Sequence, residues 1–174
     1  MTAALRKADR ADVAQLVELA RQTYFSAFGH TFTPGDLAAH LAIHLSDSSV
    51  EGWLHEDTVL LAETQGRLVG FAHFGAAPPG RYGGLPSLGA LAIHRLYVAA
   101  DLQGAGIGTK LLKTALAMAG DHPNTDIYLD VWEENHGAQR LYGRHGFSSV
   151  GRVLFETESG AGAGYDIVMV RRRR

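Results

Sequence analysis

Apolar residues in the first part of the chain recur with a helical period. They are Val13, Leu16, Val17, Ala20, Tyr24 and Phe28, followed by Leu37, Leu41 and Leu45. This spacing predicts two amphipathic helices, the first capped by Asp9 and the second by Thr33 ahead of Pro34. A short strand is predicted around Leu5, whereas the stretch from Val50 to Leu54 is ambiguous.

Apolar runs in the rest of the chain are mostly typical of strands. Two of them, Thr58–Thr64 and Arg67–Phe74, are separated by Gln65-Gly66 and predict a β-hairpin. Further strands are predicted at Leu88–Val98, Ile127–Trp132, Val150–Glu156 and Tyr165–Val170. Helical spacing returns at Leu111–Met118 and at Asn135–Gly143. This order predicts an α+β fold with a mixed, largely antiparallel sheet and helices on its faces.

Composition and charge narrow the classes of function. The 174 residues include no Cys, which excludes a disulfide framework, a thiolate zinc site and a cysteine nucleophile. Of the 16 basic residues, four form the run Arg171–Arg174, so the rest of the chain carries 16 − 4 = 12 basic against 18 acidic residues. That acidic excess argues against a nucleic-acid partner and suits a cationic small molecule or peptide, although a solvated surface is the more frequent explanation of such an excess.

The expected organisation is a single domain over residues 1–170 with a basic C-terminal tail over residues 171–174. The N-terminal residues are too polar for a secretory signal, and no run of eighteen apolar residues occurs. We therefore expect no membrane partner and a cytoplasmic location.

A glycine-rich segment precedes the helix predicted at Leu111–Met118. It runs Gln103-Gly104-Ala105-Gly106-Ile107-Gly108-Thr109-Lys110. Thr109 disfavours two nucleotide-binding loops, because a Walker loop needs glycine directly before Lys110 and a dinucleotide loop needs its third glycine at that position. Residues without a Cβ let successive backbone N–H groups point at one phosphate at the positive end of a helix, so the segment predicts a phosphate-binding turn.

A second segment, Trp132 to Phe147, carries Asn135, Ala138 and Tyr142 ahead of Gly146-Phe147. The spacing i, i+3, i+7 places the first three on one helical face.

The two segments together resemble the GNAT superfamily of acetyl-CoA-dependent N-acetyltransferases. Gln103, Gly106 and Gly108 fit its Gln/Arg-x-x-Gly-x-Gly/Ala loop, and the second segment fits its later motif in order and distance. Flanking stretches are similar to the bacterial spermine/spermidine N-acetyltransferase type: Arg95-Leu96-Tyr97-Val98, Val131-Trp132-Glu133 and Tyr165-Asp166-Ile167-Val168-Met169. The resemblance runs from the first helix to the last strand. It implies a sheet of about seven strands with about four helices, acetyl-CoA as co-substrate and, as in many relatives, a homodimer as an open alternative.

The resemblance also implies roles for individual residues. The cofactor-binding set is Leu96, Tyr97, Val98, Gln103, Gly104, Ala105, Gly106, Ile107, Gly108, Thr109, Asn135, Ala138 and Tyr142. The amine attacks the thioester directly, and Tyr142 is the expected acid for the departing sulfur. Residues expected to shape the acceptor pocket are Tyr24, Phe28, His30, Phe32 and His73.

The sequence offers more than one candidate for the base. His94 stands close to where several relatives carry Glu, so His94, a water that it holds or the neighbouring His73 is expected to accept the amine proton. His40 and His44 have the i, i+4 spacing of metal ligands, but no Glu follows His40 as in a zinc protease, so no metal is expected.

The leading interpretation is acetyl transfer to a primary amine, with a polyamine or another small cationic amine as the first candidate. Acetylation of peptide or protein N-termini, including those of ribosomal proteins, is the alternative within the same chemistry. A non-catalytic acyl-CoA-binding regulator is the alternative from another class.

Overall fold

The computed structural model describes residues 3–82, 89–120, 125–156 and 162–172. Its helices are α1 (Val13–Phe28), α2 (Pro34–His44), α3 (Asp47–Glu56), α4 (Ile107–Ala119) and α5 (His136–Arg144). Its strands are β1 (Ala4–Lys7), β2 (Thr58–Thr64), β3 (Arg67–Ala76), β4 (Leu91–Val98), β5 (Ile127–Trp132), β6 (Ser148–Glu156) and β7 (Gly162–Arg171). None of the described helices is long and apolar enough to cross a membrane.

The strands form one sheet in the order β1-β2-β3-β4-β5-β7-β6. Every neighbouring pair is antiparallel except β4 and β5, which run parallel. Paired positions between the described residues of these two strands are Leu91 with Ile127 and Ala92 with Tyr128. Because the pairing stops there, the C-terminal halves of β4 and β5 leave the sheet open at its centre.

Helices cover both faces of the sheet because alternate residues of each strand point to opposite sides. On β2, Leu60 and Ala62 pack in the cluster that includes Leu111 and Leu112 of α4. Their neighbours Val59 and Leu61 pack in the other large cluster, which contains α1, α2 and α3. The open centre of the sheet is thus enclosed by helices on both sides.

These observations confirm the predicted α+β fold with a seven-stranded, mostly antiparallel sheet, although the described residues form five α-helices where about four were expected. The additional helix is α3, which covers the ambiguous stretch and is capped by Ser46, whose side chain accepts a hydrogen bond from the Ser49 N–H. The strand predicted from Leu88 begins at Leu91, and Leu88 lies outside the described residues.

The last strand extends one residue into the arginine run, because Arg171 pairs with Ile127. Arg172 follows it and binds the Asp126 carboxylate at 2.6 Å. The domain boundary at residue 170 stays a prediction.

Candidate active site

Two cavities meet where β4 and β5 diverge. One, of about 470 Å³, runs along the glycine-rich turn and α5, and we call it the cofactor groove. The other, of about 370 Å³, lies between α1, α2, β4 and β5, and we call it the acceptor cavity. Both are lined by the same five residues, Leu96, Tyr97, Asn135, Ala138 and Tyr142. A ligand in one cavity can therefore reach a ligand in the other.

The glycine-rich turn has the backbone shape of an anion-binding loop. Gly104 and Gly106 both have φ near +83°, and Gly106 is the N-cap residue of α4. L-residues rarely adopt that conformation, so glycine is needed at both positions. The N–H groups of the first turn of α4 face the groove at the positive end of the helix dipole, which suits a phosphate. Lys110 points away from this turn and donates to the Ala3 carbonyl at 2.5 Å.

Tyr142 lies at the junction of the two cavities. It is on α5, whose N-terminus is capped by Asn135 through a 3.0 Å hydrogen bond from the Ala138 N–H. The ring packs edge-on against Phe147 and is 7% exposed. Burial, with Tyr97 and Asp130 nearby, raises the pKa of the Tyr142 hydroxyl well above its ordinary value. The hydroxyl is therefore protonated at neutral pH and can act as a hydrogen-bond donor or acid.

His94 is displaced from the regular ladder by a β-bulge. His73 of β3 pairs with Arg95 and the next residue, Phe74, pairs with Ile93, so His94 has no position opposite it. Bulges re-aim a side chain next to an active site. Here the His94 ring reaches the acceptor cavity. Burial and the nearby Arg95 lower the pKa of His94 although Asp57 opposes the shift, so the imidazole is neutral and able to accept a proton at pH 7.

A buried polar cluster supports His94 from behind. His73 is 3% exposed and shares a 2.8 Å hydrogen bond from its Nε2 to Asp57 Oδ2. Its other nitrogen, Nδ1, lies 3.2 Å from Arg95 Nη1. Desolvation, with His94 and Arg95 nearby, lowers the pKa of His73 to about 2. The ring of Trp53 packs against His73 and beneath the Arg95 guanidinium.

The direction of these hydrogen bonds argues against a metal at the cluster. Asp57, His73 and His94 each offer an atom within 4.8 Å of the others, which is close enough for a shared ion. A guanidinium only donates, so His73 Nδ1 must accept from Arg95, and His73 Nε2 must carry the proton that it donates to Asp57. A protonated Nε2 has no lone pair for a metal. We assign the cluster as a hydrogen-bond network.

A carboxylate pair forms the opposite wall of the acceptor cavity. Asp130 of β5 and Asp166 of β7 both line the cavity. Arg81 donates to the Asp130 carboxylate through its Nε at 3.2 Å and its Nη2 at 2.5 Å. Burial and the neighbouring Asp130 raise the pKa of Asp166 to about 7. Asp166 is therefore partly protonated at neutral pH and ionises readily if a cation approaches.

Aromatic rings complete the acceptor cavity. Tyr24 stacks on His40 with centroids 4.6 Å apart, and Phe28 packs against Trp132 at 5.6 Å. Aromatic faces attract cations as well as apolar groups. The cavity thus combines π-faces with carboxylates, which suits an amine attached to a slender carbon chain.

The predicted site residues are brought together to different degrees. Most of the predicted cofactor-binding residues line the cofactor groove, and some of them also line the acceptor cavity. They are Leu96, Tyr97, Val98, Gln103, Gly104, Gly106, Gly108, Thr109, Asn135, Ala138 and Tyr142. The Ile107 side chain instead packs in the core beneath α4, and that of Ala105 is exposed, so any contact of theirs with a cofactor would use the backbone.

On the acceptor side, Tyr24, Phe28 and His94 line the cavity. His30 packs on Trp132 and Phe32 packs on Tyr24 and Phe155, around the rim. His73 lies behind His94, in the buried cluster. Its role in the acceptor pocket stays a prediction.

Asp57, Arg81 and Asp130 were not predicted as site residues from the sequence. Asp166 was named only within a stretch similar to the spermine/spermidine N-acetyltransferase type. Asp130 and Asp166 come from β5 and β7, and the register that pairs Trp132 with Asp166 brings them together. The polar residue inside the apolar run Ile127–Trp132 was the available signal for Asp130. Nothing local marks Asp57 or Arg81.

Three known proteins show what this chain is similar to. A spermine/spermidine N(1)-acetyltransferase of Bacillus subtilis is 36% identical over 95 residues, which is 54% of this chain and 61% of that protein, less than two thirds of its length. An uncharacterised N-acetyltransferase of Mycobacterium tuberculosis is 27% identical over 162 residues, covering 92% of this chain and 97% of that protein. The crystal structure of an N-acetyltransferase from Thermoplasma acidophilum in complex with coenzyme A superimposes with a TM-score of 0.74 at 17% identity, covering 99% of this chain and all of that one.

The family comparison covers the site itself. Residues 13–147 match the acetyltransferase (GNAT) family, a range that contains the glycine-rich turn, the β-bulge and α5. The chain therefore belongs to the acetyltransferase (GNAT) family.

Proposed function

We propose that this protein is an acetyl-CoA-dependent N-acetyltransferase that acetylates a primary amine on a small cationic molecule, with polyamines as the first acceptors to test. The observation that carries the proposal is the junction of the cofactor groove with the acceptor cavity at Tyr97, Asn135 and Tyr142. An open cavity on the far side of that junction has no use in a regulator that only binds acyl-CoA. The similarity to the Bacillus subtilis enzyme favours a polyamine among small amines.

Net charge lends the polyamine acceptor little support. The described lining of the acceptor cavity carries two carboxylates, Asp130 and Asp166, and two guanidinium groups, Arg81 and Arg95. The acidic excess of the chain is therefore not concentrated at this cavity. What favours a cation is the local arrangement: Arg81 binds Asp130 closely and lies 3.9 Å from Asp166, whose carboxyl lines the same cavity as the aromatic rings and has a pKa of about 7.

In the proposed mechanism His94 accepts the proton of the attacking amine. An alkylammonium with a pKa near 10.4 costs between roughly 4 and 5 kcal/mol to deprotonate at pH 7, so a base at the cavity wall is needed. The amine nitrogen forms a bond to the acetyl carbon, and backbone N–H groups of residues 96–98 donate to the oxyanion that results.

Tyr142 acts in the second half of the reaction. As the carbon–sulfur bond breaks, its hydroxyl donates a proton to the leaving thiolate. The raised pKa of Tyr142 keeps that proton in place until it is needed. The proton taken up by His94 then replaces it through solvent, so the balanced reaction converts amine and acetyl-CoA into amide and free CoA.

A thiol-release assay with acetyl-CoA tests the proposal. The panel comprises spermidine, spermine, a diaminoalkane, peptides with a free N-terminus and a lysine-bearing peptide blocked at its N-terminus. We expect the polyamines to give the highest kcat/KM. Higher kcat/KM for the N-terminal peptides would favour the ribosomal-protein type of activity, and tight acetyl-CoA binding without thiol release on any amine would overturn catalysis.

A further inference from the structure

One ring nitrogen of His94, Nε2, is buried behind the acceptor cavity without a hydrogen-bond partner among the described residues. The nearest carboxylate oxygen, Asp57 Oδ2, lies 3.6 Å away, just beyond hydrogen-bond distance. Catalytic hydrogen bonds are often long in a ligand-free enzyme and shorten when the substrate binds. A small movement of either side chain therefore joins the two groups.

The Asp57 oxygen is held by a chain of fixed direction. Arg95 donates to His73 Nδ1, and His73 Nε2 donates to Asp57 Oδ2 at 2.8 Å. The ionised carboxylate can only accept, so a proton on His94 Nε2 faces an acceptor, whereas a lone pair there would face negative charge. The favoured neutral form of His94 thus carries its proton on Nε2 and leaves Nδ1 free to accept one.

The backbone makes room for Asp57. Asp57 ends α3 in extended conformation, and its N–H caps that helix on the Trp53 carbonyl. On the neighbouring strand β3, a Cβ added to Gly75 would overlap the Asp57 carboxylate. Gly75 has no positive φ that would require glycine. The space that it leaves is filled by the carboxylate, which indicates a built position for Asp57.

We propose that Asp57 is a positioning residue for acetyl transfer: it fixes the tautomer of His94 and stabilises the imidazolium that forms when Nδ1 takes the amine proton. This inference rests on the proposed role of His94 as the base. Asp57 itself gains no proton, and the Nε2 proton of His94 stays in place throughout. Removing the Asp57 charge should lower the proton affinity of His94.

The test compares Asp57→Asn with wild type in kcat, KM and pH dependence. Asparagine keeps an oxygen that can accept from His73 and removes the charge. We expect kcat to fall about 10- to 100-fold, less than the roughly 10²- to 10⁴-fold that the base itself contributes, because His94 is still present. The KM for acetyl-CoA should change less than about twofold, because Asp57 lies outside the residues that line the cofactor groove.

The pH profile separates positioning from a structural role. His94 must be neutral to act, so kcat/KM falls as pH drops through its pKa, and loss of the Asp57 charge should move that limb to lower pH. The charged and titratable groups around His94 are Asp57 at the end of α3, His73 on β3, Arg95 on β4, Asp130 on β5 and Arg81 after β3. Asp57→Asn changes only the first of them.

Two variants make the outcome decisive. Asp12→Asn is the matched control, since Asp12 is a buried carboxylate in an ion pair with Arg6 and lines neither cavity, and the change should cost stability without moving the limb. His94→Gln tests the base itself. If His94→Gln keeps the wild-type kcat and acidic limb, the base assignment in the proposed function fails. If it loses them while Asp57→Asn keeps both, His94 stands as the base and the role of Asp57 is overturned.

A measurement on the wild-type protein tests the inference even if one of the variants does not fold. The ¹⁵N shifts of the His94 ring report its tautomer directly. We expect the Nε2–H form near pH 7. A dominant Nδ1–H form would overturn the inference whatever the kinetics of the variants.

Discussion

At the level of single residues, a change at Tyr142 can be used to measure catalysis and cofactor binding separately. Tyr142 lines both cavities, and its ring packs edge-on against Phe147. Tyr142→Phe removes one oxygen and keeps that packing. We expect kcat to fall by about 10²-fold or more, the range of general-acid catalysis, while the dissociation constant for CoA stays within about twofold.

Initial rates of thiol release give kcat, and calorimetric titration with CoA gives the dissociation constant. Tyr165→Phe provides the control, because that ring is 36% exposed and packs on Arg152, away from both cavities. A Tyr142→Phe enzyme with wild-type kcat would remove the hydroxyl from the mechanism.

Asp166 gives the acceptor step its own pH dependence. Its pKa of about 7 means that the carboxyl loses its proton between roughly pH 6 and 8. A cationic acceptor binds the ionised form better, and polyamine amines stay protonated over that range. The KM for spermidine should therefore fall severalfold as pH rises from 6 to 8, in the opposite sense to binding that requires a neutral carboxyl.

Asp166→Asn should remove most of that dependence and raise the KM at pH 8 towards its value at pH 6. The measurement is initial rates against spermidine concentration at each pH with acetyl-CoA saturating. A wild-type KM that is flat, or that rises with pH, would mean that Asp166 does not face the bound cation.

At the element scale, the glycine-rich turn can be tested by backbone conformation alone. Gly106 has φ of +83° and a Cβ there would meet nothing within 4 Å, so any penalty for Gly106→Ala comes from the backbone. An L-residue in that region costs roughly 1–2 kcal/mol. If the turn relaxes to avoid the strain, its N–H groups turn away from the phosphates, and we expect CoA to bind about tenfold more weakly.

Gly52→Ala is the matched control, since Gly52 lies within α3, has no positive φ and also has open space at its Cβ. That change should stabilise the helix by roughly 0.5–1 kcal/mol and leave CoA affinity unaltered. CoA binding that is equally strong in Gly106→Ala would show that the turn does not bind the phosphates.

Elements also decide how much could be predicted from the sequence. The helical spacing of apolar residues in α1 and α4 is a local pattern, and so is the glycine-rich turn. The sequence therefore predicts these elements, together with the residues expected around the cofactor groove. The ten residues of α3 carry only Val50 and Trp53 as buried positions, too few to set a period. The bulge at His94 depends on the register with β3, and the Asp57 cluster joins α3, β3 and β4. Such contacts follow from tertiary packing and leave no local signal.

At the scale of the whole molecule, the acceptor cavity is closed by contact between distant parts of the chain. Phe28 at the end of α1 packs against Trp132 at the end of β5, with centroids 5.6 Å apart. Further out, Phe32 and His40 pack on Phe155 of β6. The N-terminal helices and the C-terminal strands therefore form one wall together, although more than 100 residues separate Phe28 from Trp132 in sequence.

This arrangement predicts energetic coupling between Phe28 and Trp132 in acceptor binding. Phe28→Ala and Trp132→Ala should each raise the KM for the acceptor while CoA affinity stays close to wild type, because neither residue lines the cofactor groove. The rings contact each other, so the double variant should lose less than the sum of the two single losses. An aromatic pair of this kind contributes roughly 0.5–1.5 kcal/mol, equivalent to a coupling of about 2- to 13-fold in KM. Initial-rate measurements on the four enzymes of the cycle give this coupling directly, and strictly additive effects would show that the two halves of the wall bind the acceptor independently.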